Sequence, residues 1–230
     1  MVNKPDAVLP SCTGNSARAL LSEALGSFFL FIAVVGSGIM AERLAGGNDA
    51  IALLVNTAAT GAILFVLITM LGPVSGAHFN PAVTLVMRLR GQGSWKALAV
   101  TAAVQVIAGI LGVWAAHLMF DLPIVQFSQK MRTGAGQWAG EFIATFGLLL
   151  TIIGTARHRP AAIPASVALY ITAAYWFTSS TSFANPAITI ARSLSDSFAG
   201  IAPGDAPGFI AAQVAGALAA HFAGKALFPD

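Results

Sequence analysis

Six stretches of this chain are too long and too apolar to be shared out within an ordinary soluble core. They cover residues 19–40, 50–71, 97–119, 138–155, 161–178 and 209–228. A run of about 20 apolar residues is what an α-helix needs to cross the hydrocarbon of a bilayer. Composition agrees, with 57% of residues hydrophobic and only 9% charged, where a soluble domain is usually about a quarter charged. A soluble monomer of this kind would expose large apolar patches. The expected fold class is therefore an all-α membrane protein of six transmembrane helices, with the lipid bilayer as its main solvent. The first stretch opens after Arg18 and is too long for the apolar core of a secretory signal, so it is expected to be retained behind a polar tail at residues 1–17. The single cysteine, Cys12, lies in that tail and allows no internal disulfide. The net charge of +3 is scattered, with no aromatic-interleaved basic patch, so nucleic acid is not an expected partner.

Two shorter stretches, 80–88 and 185–194, do not fit the six-span scheme. Each begins Asn-Pro-Ala and is too short to cross. Such pieces predict re-entrant half-helices, which survive at membrane depth only when buried in protein or lining a wet cavity. Asn is a strong N-cap and Pro suits the first helical position, where its missing N–H is no loss. Asn80-Pro81-Ala82 and Asn185-Pro186-Ala187 therefore start helices and do not interrupt them.

The chain also repeats itself. "SEALGSFFLF" at 22–31 returns as "GEFIATFGLL" at 140–149, "NPAVTL" at 80–85 as "NPAITI" at 185–190, and "AAVQVIAG" at 102–109 as "IAAQVAGA" at 210–217. The matching residues are polar ones, which chance likeness between apolar segments would not select. One domain over 1–230 is expected, with repeat one at about 18–120 and repeat two at about 137–228. Three spans per repeat is an odd number, so the halves sit in opposite orientations, with functional elements near the midplane. Basic residues set the orientation. Lys4, Arg18, Arg88, Arg90, Lys96, Arg157, Arg159 and Lys225 fall on one side, and Arg43, Lys130, Arg132 and Arg192 on the other. That bias places both termini in the cytoplasm, in a multi-pass protein of the inner (plasma) membrane. Small residues four apart, Ala108/Gly112/Ala116 and Gly216/Ala220/Gly224, are expected at helix contacts.

Two helix starts meeting from opposite faces make a positive barrier, because each carries about half an elementary charge. The capping Asn oxygen is taken by a backbone N–H, leaving the Asn80 and Asn185 NH2 groups to donate into the lumen. A neutral solute with oxygen acceptors gains there, a cation is repelled, and a water file is forced to reorient. The expected function is a passive channel for small uncharged solutes, closed to protons and cations. A gradient-coupled secondary transporter stays open as the alternative, since inverted repeats and broken helices serve both. Its titratable groups would be Glu23 and Glu141, because an intramembrane carboxylate is functional by default. An enzyme finds no support. No nucleophile elbow, phosphate loop or metal cluster appears, and His78, His117, His158 and His221 do not cluster in sequence. No cofactor and no metal are expected.

"SGAHFNPAVT" at 75–84, with the second "NPA" at 185, resembles the aquaporin and aquaglyceroporin (major intrinsic protein) family over residues of about 22–228. The resemblance implies six transmembrane helices plus two re-entrant half-helices, one pore per subunit and a homotetramer. It implies that Glu23 and Glu141 accept hydrogen bonds from the backbone of the two NPA loops, a structural role set against that of a proton relay. It implies that His78 lines the pore on the cytoplasmic side, although a satisfied structural histidine is the equal alternative. Gln105 and Gln213 are expected to satisfy backbone groups nearby.

The chain departs from the family immediately after its second NPA. Most members carry an arginine there; this chain has Ile188. The nearest basic residue is Arg192, about one helical turn further on and about 6 Å nearer the outside. It is either a displaced filter arginine or a rim residue paired with Asp196. The other constriction positions carry over as Thr60, Ser182 and Ala173, the last with a spacing about two positions off the water-selective pattern. A constriction of Thr, Ser, Ile and Ala is wide and apolar, and implies passage of water and glycerol-like polyols. "NPAITIARSLSDSFAGI" is similar to a bacterial branch associated with arsenic resistance, which adds neutral arsenite as a candidate solute.

Overall fold

The computed structural model describes residues 16–228. Cys12, Lys4 and all but the last two residues of the expected N-terminal tail lie outside the described residues. Every regular element among the described residues is helical: α1 (Ala17–Leu44), α2 (Asp49–Ser75), α3 (Pro81–Leu89), α4 (Trp95–Met119), α5 (Ala135–His158), a single 3-10 turn (Pro160–Ala162), α6 (Ile163–Phe177), α7 (Pro186–Arg192) and α8 (Ala206–Leu227). Six of these pieces are long and apolar enough to cross a membrane, the 3-10 turn counting with α6. The helices overrun the apolar stretches because their ends are fixed by caps outside them. Ser16 Oγ accepts from Ala19 N at 3.2 Å, Asn48 Oδ1 accepts from Ala50 N and Ile51 N at 3.1 Å, and Ser94 Oγ accepts from Ala97 N at 3.1 Å. Such side chains satisfy helix N–H groups that have no partner within the helix.

The packing is paired. α1 lies against α2 and α4, α5 lies against α6 and α8, and α2 meets α6 across the molecule. The half-helices α3 and α7 touch each other and both rest on α4 and α8. Glycine sets the closest approaches: Gly112 of α4 sits on the backbone of Phe28, and Gly216 of α8 on the backbone of Phe142. A methyl group at either would collide with a carbonyl, as expected where helices associate through small residues.

Burial runs opposite to that of a soluble protein. Large apolar side chains such as Leu21, Leu54, Phe65, Met70, Leu118, Leu169 and Phe222 are exposed on the outer surface, while Glu23, Asn56, Thr60, Gln105, Thr145, Glu141 and Gln213 are buried inside. The exposed belt suits hydrocarbon. Much of the polar interior is paired, as at Glu23, Asn56 and Glu141, while Thr145 Oγ1 is buried with no hydrogen-bond partner.

Candidate functional site

Both half-helices begin as their sequences dictate. Asn80 Oδ1 accepts from Ala82 N at 2.9 Å, and Asn185 Oδ1 accepts from Ala187 N at 2.9 Å and Ile188 N at 3.3 Å. Pro81 and Pro186 take the first helical positions. The amide NH2 groups are only partly free, which corrects the expectation. Asn80 Nδ2 donates to the Ala184 carbonyl at 2.7 Å, and Asn185 Nδ2 donates to the Phe79 carbonyl at 2.8 Å. Each amide uses one hydrogen to clasp the opposite loop and keeps one for the lumen, which both asparagines line.

The loops entering the half-helices share a backbone path. Ala77 and Phe79 have φ of 49° and 47°; Ser182 and Ala184, at the same offsets from Asn185, have 50° and 48°. Non-glycine residues in this left-handed region cost about 1–2 kcal/mol each, so something must hold them. Glu23 accepts from His78 N at 2.9 Å and Phe79 N at 2.8 Å. Glu141 accepts from Phe183 N at 2.8 Å and Ala184 N at 2.9 Å. Gln105 and Gln213 do not satisfy backbone groups as expected. Gln105 Nε2 donates to Glu23 at 2.8 Å and to Thr84 Oγ1 at 3.2 Å, and Gln213 Nε2 donates to Glu141 at 2.5 Å and to Thr189 Oγ1 at 2.9 Å. The carboxylates already hold the backbone, and the amides hold the carboxylates. Neither Glu23 nor Glu141 lines the main cavity; Glu23 lines a small adjoining one that shares His78 and Met87 with it.

That cavity has a volume of about 620 Å³ and passes both asparagines. Its wall is mostly aliphatic, from Leu64, Ile68, Val83, Val167, Ile171 and Ile188. A sparse polar set interrupts it: Thr60, His78, Asn80, Tyr175, Ser182, Asn185 and Arg192. His78 Nδ1 lies 3.1 Å from Thr84 Oγ1. Ser182 lines the cavity, and its Oγ is buried without a hydrogen-bond partner. Thr60, Ile188 and Arg192 also line the cavity. Ala173 does not: it is exposed on the outer face of α6 and absent from the cavity wall. Tyr175 faces inward instead, with its hydroxyl 3.2 Å from Thr60 Oγ1. Two positions on a helix are about 200° of rotation, so the two-residue ambiguity in spacing inverted the face. A phenol that needs a buried partner was the available signal.

Pairing of Arg192 with Asp196 is overturned. Asp196 is exposed and its Oδ1 accepts from Gln129 N at 2.9 Å. Arg192 is 2% exposed, its Nε donates to the Ala199 carbonyl, and its Cζ lies 3.3 Å from the centroid of the Phe183 ring. Sequence reasoning missed Arg132. The connection between α4 and α5 folds over the exit of α7, joined by Ser128 N to the Ser193 carbonyl at 3.0 Å and Ala202 N to the Lys130 carbonyl at 2.7 Å. It buries Arg132 against the same Phe183 ring, 5.1 Å from Cζ to centroid. Burial pulls the Arg132 guanidinium down to about 10, which leaves it charged at neutral pH. Lys130 is also lowered, first by burial and then by Arg132 and Arg192 nearby. An arginine in a long loop carries no local pattern that would have marked it.

Two capped half-helices meeting on a lined passage through a six-span bundle define a membrane channel. The chain belongs to the major intrinsic protein family, whose match covers residues 11–179. It is 55% identical over 203 residues to the aquaglyceroporin AqpS of Rhizobium meliloti (strain 1021), covering 88% of this chain and 87% of that protein. It is 31% identical over 141 residues to a probable NIP-type aquaporin of Nicotiana alata, covering 60% of this chain and 51% of that protein. The solved aquaglyceroporin of Plasmodium falciparum shares the fold, with a TM-score of 0.72, 17% identity, and coverage of 92% of this chain and 97% of that one. The protein is a multi-pass membrane channel for small neutral solutes.

Proposed function

We propose that this channel passes water, glycerol-like polyols and neutral arsenite down their gradients, and excludes protons and cations where its half-helices meet. The observation that carries the proposal is Ile188. It lines the cavity directly after the second Asn-Pro-Ala, so a compact aliphatic group stands where a long cation would otherwise narrow the path. Beside it, Thr60, Ser182 and the free hydrogens of Asn80 and Asn185 can bind hydroxyls in sequence along an otherwise apolar wall. A trihydroxy solute presents hydroxyls to those groups and its remaining surface to the aliphatic side, and arsenite and glycerol share that shape. Facing helix N-termini disfavour cations and force a water file to turn, an established feature of aquaporin-type pores.

Glu23, Glu141, Gln105 and Gln213 support the loops, while Thr60, His78, Asn80, Tyr175, Ser182, Asn185, Ile188 and Arg192 meet the solute. The channel sits in the inner (plasma) membrane with both termini cytoplasmic, as the distribution of Lys and Arg favours. It assembles as a homotetramer of single domains, each built from two repeats (18–120 and 137–228), consistent with the broad apolar outer surface of each copy. Stopped-flow light scattering on proteoliposomes tests the solute assignment. Rapid glycerol and arsenite entry, non-saturating and independent of an imposed pH gradient, is expected. Fast water flux with neither solute entering would sink the wide-pore assignment, and gradient-dependent, saturating flux would point to a coupled carrier.

A further inference from the structure

We propose that Arg132 and Arg192 together form a cationic collar around Phe183 that excludes cations in place of the charge missing at position 188. Phe183 and Arg192 line the cavity on the side covered by the α4–α5 connection. Arg132, 9% exposed, lies behind the ring and acts on the lumen through its field, without touching the solute.

Both guanidiniums are anchored only to carbonyls. Arg192 Nε donates to Ala199, Arg132 Nε donates to Gly200 at 2.8 Å, and Arg132 Nη1 donates to Ser180 at 3.3 Å. The nearby carboxylates make their hydrogen bonds to other groups, and Glu141 acts on the two guanidiniums only through its field. Glu141 holds the backbone of the second NPA loop. Asp205 accepts from the backbone N–H of Arg132 at 2.7 Å, and Asp196 accepts from Gln129. Phe183 adds stabilisation, its π-face attracting both cations.

Two like charges brought together in a poorly solvated site repel. An arrangement kept for stability alone would be neutralised by an acid or replaced by apolar residues. Here the net positive charge is preserved, and it is aimed at the one stretch of pore where the family's usual charge is absent. A fixed positive field in a narrow, low-dielectric passage raises the barrier to cations and leaves neutral solutes unaffected. Arg132 arrives from a different part of the chain than the half-helix, so the collar leaves position 188 free to be small. The lumen thereby stays wide while the charge remains.

The inference rests on the neutral-solute channel proposed above, and paired measurements separate the two. Arg132→Gln, Arg192→Gln and the double variant would be reconstituted in proteoliposomes and assayed for glycerol entry and for methylammonium and sodium leak. Arg132→Gln, off the cavity wall, should raise cation leak on the order of tenfold with glycerol entry kept; Arg192→Gln should raise the leak as well, and the double variant more. Arg132→Lys should keep the leak low because it retains the charge, which a purely structural role of the guanidinium would not predict. Ile188→Arg in the double variant should restore exclusion. If Arg132→Gln does not fold, Arg132→Met keeps an aliphatic stem on Phe183 while removing the charge, and should leak in the same way. Glycerol-conducting Arg132→Gln or Arg132→Met protein with wild-type cation exclusion would overturn the collar. Absence of glycerol entry in the unmodified protein would overturn the channel assignment instead.

Discussion

The two NPA loops are the same device built twice and then put to different use. Around Asn80 and Asn185 they match in cap geometry, in the offsets of their left-handed residues, in the carboxylate gripping the loop and in the glutamine and threonine behind it. Seven residues beyond each asparagine they diverge: the first half puts Met87 on the cavity wall and the second puts Arg192 there. Among the described residues the first loop has no counterpart to the α4–α5 connection that folds Arg132 against Phe183. Symmetry makes a passage, and the broken symmetry at one end decides what enters it.

Removing the grips should have the largest effect and should hit both halves alike. Glu23→Ala or Glu141→Ala leaves two buried N–H groups unpaired, at about 1–3 kcal/mol each, and releases strained residues. Either variant should lose folded yield and most solute flux, measured by size-exclusion behaviour in detergent and by glycerol entry. A well-folded, conducting Glu141→Ala protein would break the equivalence. Next in size, Ile188→Arg should sharply reduce glycerol and arsenite entry while some water flux persists. An unchanged solute profile would remove Ile188 from the filter. The capping pair comes third: Asn185→Ala loses a cap, at about 0.5–2 kcal/mol, together with the clasp to Phe79, and Asn80→Ala should match it in thermal unfolding. A cost confined to one of them would show that the halves are not held alike. Smallest, Tyr175→Phe removes the bond to Thr60, at about 0.5–1.5 kcal/mol, and should shift the glycerol-to-water permeability ratio modestly. Ala173→Val, on the outer face of α6, should leave that ratio unchanged, and a matching shift there would reverse the assignment of that helix's inner face.

How much of this was legible in the chain depended on whether the signal was local. Asn80-Pro81 and Asn185-Pro186 carry cap chemistry in adjacent residues, so the half-helices could be read directly; the grip of Glu23 and Glu141 on the loops came from the family resemblance, and the side-chain partners of Gln105 and Gln213 were not foreseen. The face of α6 could not, because choosing Ala173 over Tyr175 requires knowing the helix rotation to within one residue. The use of the asparagine amides was also hidden, since their acceptors, Ala184 and Phe79, are more than 100 positions away in the chain. Arg132 lies in a loop with no periodicity, and only the folded path of residues 120–134 gives it a place beside Phe183.

The reciprocal clasp has a consequence for how the chain is made. Asn80 finds its acceptor only at Ala184, so the first NPA loop cannot be completed while the nascent chain ends at α4. Until the second half enters the membrane, that amide and the Phe79 carbonyl lack these partners. The pore is therefore a late product of biogenesis, sealed from both sides at once, and a ribosome-stalled first half should present its loop unlatched.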